Sequence, residues 1–442
     1  MDLTRSSSGS QPSDFWSMFQ NRNFALLWTS QVFGQSAQNA ILFVHMVMIE
    51  GLTRSSTLVG LMVLVFNLPG VLFSLLSGVM IDRFRKKTIL LFCNISRIFV
   101  VASFIFFRRY AQGGGLLTAV YLLTFVLSTI GQLSDPAEAA MVPLLVAPDQ
   151  LLTANSAFRL LFNVAQVLGL LFLAPLSLKL GGIDGAFATI SGAYLITTAL
   201  IWPISLYEPS PHNGVLRNSL ITLREELNTG LRFILTNRPV LIAIGQHGLM
   251  NVLTMIIAVL VPGFAARVLG MPPTDAIYIF FAGGVGMFIA TLWVANYGSR
   301  FQRPRLVATG LLIVGLALAA LSIVALNVEA EGGASGKAPD RVIIPVVGAA
   351  LVLGAGGTVT VVASQTIIHE LTPMEIRGRV ISADFLLANI AGLAPMMAVS
   401  TLADYIGIPN AIMGLSGVLL ASAFLSFRVR RQERVPLHVQ PG

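Results

Sequence analysis

The chain has 442 residues, of which 55% are hydrophobic and 11% charged, and its mean hydropathy is +0.80. Soluble domains carry about twice that charged fraction, so a soluble globular protein is excluded and a polytopic, all-α membrane protein is expected. The net charge of +8 does not indicate nucleic acid, because the basic residues sit between apolar runs and not on one soluble face.

Residues 1–23 are polar and Ser-rich, with no cleavable-signal core, and form a cytoplasmic tail in this reading. Twelve apolar segments follow, near 24–49, 56–81, 88–107, 115–138, 154–178, 184–206, 240–266, 274–298, 305–327, 342–366, 378–403 and 407–427. Most approach the roughly 20 residues that span a bilayer, and each must be helical because lipid offers backbone groups no partner. The expected organisation is a six-helix bundle over 24–206, a cytoplasmic linker over 207–239, a second six-helix bundle over 240–427 and a basic cytoplasmic tail over 428–442.

Placing both termini in the cytoplasm puts most basic residues inside, including Arg22, Arg83, Lys86, Lys87, Arg300, Arg377 and Arg379. Arg108-Arg109 falls outside, where snorkelling at a helix end would accommodate it. In the linker, Leu216, Leu220, Leu223, Leu227, Leu231 and Ile234 recur at helical steps, which predicts an amphipathic helix on the inner membrane surface or, alternatively, a loop. Asn21-Arg22 before the first span and Asn237-Arg238 before the seventh mark an internal duplication. The run 82–87 likewise recurs at 299–304, with Ser299 in place of Asp82.

An ionisable group inside a span is costly and is a functional candidate by default. Arg97, mid-span and one turn after Asn94, is positioned either to hold an anionic group of a solute or to lock helices through a carboxylate. Gln31, Gln35, Gln38 and Asn39 stripe the first span, and Gln246, His247 and Asn251 lie at comparable depth in the seventh. Equivalent polar groups on equivalent helices suggest a solute site, with interhelical hydrogen bonding as the alternative. Asp135, Glu138 and Asp384 are proton-carrier candidates. The favoured reading is an inner gate, in which Asp82, Asp135 or Glu138 pairs with Arg83, Arg159, Arg377 or Arg379 only in the outward-open state, when the cytoplasmic ends close. No metal spacing, Walker loop or catalytic motif is found, so no metal, no cofactor and no enzyme activity are expected. Glycines at 283, 284, 286, 354, 356 and 357 read mainly as close helix packing.

The stretch Gly78-Val79-Met80-Ile81-Asp82-Arg83-Phe84-Arg85-Lys86-Lys87 resembles the loop signature of the major facilitator superfamily. Gly78, Asp82, Arg83, Lys86 and Lys87 match it, and Arg85 replaces its second glycine. Residues 21–28, 148–156 and 373–380 resemble the branch containing macrolide-efflux and enterobactin-export proteins. That branch often carries an acid beside the glycine of span one, where this chain has Gln35 after Gly34.

The resemblance implies two six-helix bundles around a central cavity in the cell membrane. It further implies alternating access, a lipid bilayer and a small-molecule substrate as partners, and export of an amphipathic organic compound. Protons are the candidate coupling ion, and a monomer without nucleic acid is expected. Uptake or facilitated diffusion, and a non-transporting receptor on the same fold, stay open as alternatives.

Overall fold

A computed structural model describes residues 15–205, 228–330 and 340–432, with side chains at all of these except 15–17, 74–79, 82, 152, 159, 163, 171, 340, 389 and 429–432. The linker stretch 207–227 and the tails 1–14 and 433–442 therefore lie outside the described residues. Every long element is a helix: α1 (Arg22–Thr53), α2 (Ser56–Arg83), α3 (Lys86–Tyr110), α4 (Gly113–Leu145), α5 (Leu151–Leu168) and α6 (Ala174–Ile201). They are followed by α7 (Arg238–Gly263), α8 (Ala276–Tyr297), α9 (Arg303–Ala330), α10 (Asp340–Leu371), α11 (Arg377–Ile406) and α12 (Ile408–Gln432). Among the described residues, 11 helices are long and apolar enough to cross a membrane.

The fifth expected span is shared between two elements. It runs through α5, a π turn at Gly169–Leu173 and the start of α6. Pro175, just beyond the π turn, has no N–H to give the carbonyl four residues back, which accounts for the wider turn. The chain then leaves helical geometry at Gly181 and Gly182, and Gly182 has φ 61°, a conformation that glycine adopts without steric cost. The sixth span occupies the rest of α6.

The chain divides into two compact units, one of residues 1–45 and 65–216 and the other of 46–64 and 217–442. In the first unit, α3 packs on α4 and α6. Its α3 is arranged inside out. Phe92, Phe99 and Phe106, spaced by seven, are exposed, while Cys93, Asn94, Arg97, Val101 and Phe104 are buried. Such an arrangement is stable only where the surroundings are hydrocarbon. In the second unit, α9 packs on α10 and α12, α8 on α10, and α7 on α10 and α11.

The duplicated Asn residues have a physical role. The Asn21 side chain accepts from the backbone N–H groups of Asn23 (3.0 Å) and Phe24 (3.3 Å), and that of Asn237 accepts from Val240 N–H (3.3 Å). Both occupy helix starts, where the first N–H groups have no partner within the helix. The Arg22 and Arg238 that follow open α1 and α7.

Only the end of the linker, 228–236, is described, and there Leu235 is exposed. Ile234 is buried against Val240, Ile244, Ile368, Val380 and Ala383, with Leu231 and Phe233 packed alongside. Gly230 makes that contact close, since a Cβ there would meet the Arg379 carbonyl. The other apolar positions of the predicted stripe, Leu216, Leu220, Leu223 and Leu227, lie outside the described residues.

Candidate functional site

In the first unit, polar side chains from four helices meet at Arg97. Its guanidinium donates from Nη2 to Gln38 Oε1 on α1 (3.2 Å). The same nitrogen lies 3.9 Å from Asp135 Oδ1 on α4, and the guanidinium carbon sits 5.4 Å from the ring centre of Tyr194 on α6. Gly131 on α4 makes room for it, because a Cβ there would stand 3.4 Å from Arg97 Nη2 and 3.7 Å from Gln38 Nε2.

Gln31, Gln35, Asn94 and Glu138 are buried in the same unit, and half-exposed Asp135 gives the cluster an open edge. Arg97 Nε, Asp135 Oδ1, Glu138 Oε2 and the Tyr194 hydroxyl have no hydrogen-bond partner among the described residues. Unmet buried polar atoms cost about 1–3 kcal/mol each, and the concentration of four at one place makes this cluster the candidate site of the first unit. Asn39 is spent differently, donating to Gln35 O (2.8 Å) within its own helix.

In the second unit, the seventh-span residues separate by role. Gln246 donates to Ser426 Oγ on α12 (2.8 Å) and Asn251 to Ala388 O on α11 (2.9 Å), so both tie helices together. His247 instead faces Asp384 of α11, with Nδ1 3.0 Å from Oδ2, and its Nε2 lies 3.3 Å from Gln365 Nε2 on α10. The sequence pointed to His247 and Asp384 separately. Their pairing and the part of Gln365 were missed, and a polar residue in an apolar span was the available signal for Gln365.

Of the residues expected at an inner gate, Asp135 stands beside Arg97 in this structure. Arg377 donates to Thr372 O (3.2 Å), Arg83 and Arg379 are exposed, and Lys87 donates to the Trp202 carbonyl at the end of α6 (2.7 Å). A cation is favoured at such a helix C-terminus. Gly78 lies on α2, Lys86 begins α3, and the side chains of Asp82 and Arg159 lie outside those described. Arg108 grips Asp184 through two bonds, of 2.5 Å and 2.8 Å.

A further cluster lies in the second unit. The Asp404 carboxylate on α11 accepts from Ser56 N–H (2.8 Å), Thr57 N–H (2.9 Å), Ser55 Oγ (2.7 Å) and Thr57 Oγ1 (2.7 Å). Arg267 bonds Asp404 (2.9 Å), lies 3.1 Å from Glu50 and also donates to Ser56 Oγ. Glu50 and Asp404 were not singled out in the sequence, each falling one residue beyond an expected apolar segment.

The apolar exterior and inward-turned charges define a polytopic α-helical membrane protein with a polar interior, the build of a transporter. The chain matches the Major Facilitator Superfamily over residues 27–331 and, overlapping these, 254–442, and it belongs to that family of membrane transporters. It is 23% identical over 375 residues to the uncharacterized MFS-type transporter YfiS of Bacillus subtilis, covering 81% of each chain. It is 24% identical over 229 residues to YkuC of the same organism, covering 50% of this chain and 51% of the other. In fold it is similar to a bacterial homologue of the iron transporter ferroportin in an inward-facing state, with a TM-score of 0.71 and 17% identity, over 93% of this chain and 98% of that one. It is also similar to the nucleoside transporter NupG, with a TM-score of 0.67 and 12% identity, over 92% and 99%.

Proposed function

We propose that this chain is a secondary active transporter of the cell membrane that exports a small amphipathic organic compound by alternating access. In this reading it is monomeric, both termini are cytoplasmic, and the proton gradient is the drive. The observation that carries the transport reading is Arg97. It is buried at mid-helix beside Gln38, Asp135 and Tyr194, while phenylalanines on the other face of α3 meet the exterior. Charges held inside a membrane span are expensive and are kept for solute or ion pathways.

Gln31, Gln35, Gln38 and Arg97 form the solute-facing set of the first unit, and His247 that of the second. A solute matched to amides, one guanidinium and apolar walls is amphipathic and carries at most one acidic group. Asp82, Arg83, Arg159, Arg377 and Arg379 serve as gating residues at the basic ends of the helices. Glu138 and Asp135, two carboxylates beside one guanidinium, are suited to holding a proton between them.

The likeness of the entry and turn motifs to efflux proteins supports export. Uptake is the second reading, favoured by the fold likeness to a nucleoside transporter. The test is flux of fluorescent amphipathic dyes and siderophores in proteoliposomes of fixed orientation under an imposed pH gradient. Accumulation on the side facing the basic loops supports uptake, and depletion from it supports export. Flux that ignores the gradient removes proton coupling.

A further inference from the structure

The C-terminal end of α8 carries an exposed group of three aromatic rings and one cation. Trp293 and Tyr297 stand four residues apart on one face of the helix, and the single turn Gly298–Arg300 brings Arg300 and Phe301 back towards them. The ring centres of Trp293 and Phe301 lie 5.5 Å apart, and those of Trp293 and Tyr297 6.4 Å apart. The Arg300 guanidinium carbon lies 5.3 Å from the centre of the Tyr297 ring. All four side chains are exposed, as are Leu292 and Ile289 within the preceding turn of α8.

The two nearest cations differ in how they are used. Arg303 donates to the Gly298 carbonyl (2.8 Å) and lies 3.5 Å from Glu370 on α10. Arg300 stands against no carboxylate among the described residues, and its recorded contact is the Tyr297 ring. The duplicated run helps to explain this. The first copy has Asp82 directly before Arg83, whereas the second has Ser299 directly before Arg300. A carboxylate at 299 would neutralise the arginine and repel an anion, and a serine does neither.

A cation–π contact holds an arginine in place without using any of its N–H donors. Those donors suit two oxygens of one phosphate group, in the paired geometry that guanidinium favours. Around Arg300 lie tryptophan and tyrosine, which settle at the level of lipid headgroups, and beyond them aliphatic side chains of α8. Hydrocarbon covers the exterior of any span, so lipid contact alone selects nothing. The unpaired arginine at the head end is what gives a preference for negative charge. A ligand that meets both parts has an anionic head and hydrocarbon tails.

We propose that the corner formed by Trp293, Tyr297, Arg300 and Phe301 is a binding site for an anionic glycerophospholipid. Its phosphodiester sits on Arg300, and its acyl chains run along Trp293, Leu292 and Ile289. The site stands on the exterior of the second unit and does not depend on which solute is carried or in which direction. Arg305, exposed at the start of α9 and held against no ring among the described residues, feels only the general attraction of an anionic surface, so it serves as the control.

The test uses full-length protein in phosphatidylcholine nanodiscs, with Trp293 left as the single tryptophan by Trp16→Phe, Trp28→Phe and Trp202→Phe. A minor share of the lipid is replaced by chain-brominated phosphatidylglycerol or, in parallel, by chain-brominated phosphatidylcholine. Bromine quenches tryptophan on contact, and the anionic lipid is expected to quench about three-fold more than the neutral one. Arg300→Gln, at an exposed position, should abolish that preference, and Arg305→Gln should leave most of it. Native mass spectrometry of the chain with all its tryptophans gives a second readout, in which retained phosphatidylglycerol should fall in Arg300→Gln and not in Arg305→Gln. Equal quenching by the two lipids overturns the proposal. So does a preference lost equally in both arginine variants, which would mean general surface charge. Glycerol phosphate in the buffer presents the head without the chains, and relief of quenching by it would assign the corner to soluble phosphate and overturn the lipid site.

Discussion

Arg267 Nη1 lies 2.9 Å from Asp404 Oδ1, and through this contact the turn between α1 and α2 is fastened to the ends of α7 and α11. Asp404 accepts from the Ser56 and Thr57 N–H groups, as a capping side chain does, but from another helix. Residues 46–64 accordingly belong to the second unit, although the rest of α1 and α2 belongs to the first. A transporter that changes access must loosen contacts at helix ends, and this clasp is a candidate for one of them. In a Cys93→Ser background, Val59→Cys provides a buried reporter. Adding Arg267→Gln or Asp404→Asn should speed its reaction with a maleimide about ten-fold, corresponding to about 1.4 kcal/mol easier opening. Equal rates with and without the clasp residues would show that it holds nothing shut.

Glu50 is fully buried, and Arg267 is the cation that compensates it. Removing one partner of a buried pair leaves an unpaired charge and costs about 3–5 kcal/mol, whereas removing both charges costs far less. Arg267→Gln alone should therefore lower the thermal midpoint in detergent by several degrees. Glu50→Gln combined with Arg267→Gln should recover at least half of that loss. Additive losses in the double variant would mean that the two side chains do not interact.

The helices and most of their ends were legible in the sequence, because each depends on local chemistry. Asn21 and Asn237 were visible as a repeat because a helix start needs an acceptor. The break at Gly181-Gly182 fell between two apolar runs, as the segment boundaries anticipated. Arg97 was visible because a charge in a span has no cheap alternative. Partners were not legible. Gln38 and Arg97 are 59 residues apart and His247 and Asp384 are 137 apart, and which side chains meet depends on how each helix is rotated and tilted against its neighbours. Hydropathy also cannot tell a lipid-exposed apolar residue from a core one. Leu231 and Ile234, the described end of the predicted linker stripe, accordingly gave no sign in the sequence that they pack on protein.

The Arg97 cluster yields a prediction on charge balance. Two carboxylates, Asp135 and Glu138, stand near one guanidinium, so neutralising Arg97 leaves negative charge inside the bundle. Arg97→Gln should abolish dye flux in proteoliposomes and lower the thermal midpoint. Arg97→Lys should keep the fold and lose most of the flux, because an ammonium cannot both bond Gln38 and lie over Tyr194. Adding Glu138→Gln to Arg97→Gln should restore stability but not flux. A double variant that transports normally would assign Arg97 a purely structural role.

Glycines in the second unit give the sharpest contrast, because neighbouring positions in one packed region should respond oppositely. A Cβ on Gly286 of α8 would run into the Leu351 carbonyl of α10, and one on Gly354 into the Gly283 carbonyl. Backbone cannot yield as a flexible side chain does, so α8 and α10 would have to separate. Overpacking of this kind costs about 1–3 kcal/mol. Gly357, three residues along α10 from Gly354, has nothing within 4 Å of its Cβ position. Alanine there removes glycine's conformational penalty in a helix, about 0.5–1 kcal/mol. Gly286→Ala and Gly354→Ala should therefore lower the thermal midpoint in detergent, while Gly357→Ala leaves it unchanged or raises it slightly. If all three behaved alike, the close contact between α8 and α10 would not be what these glycines are for.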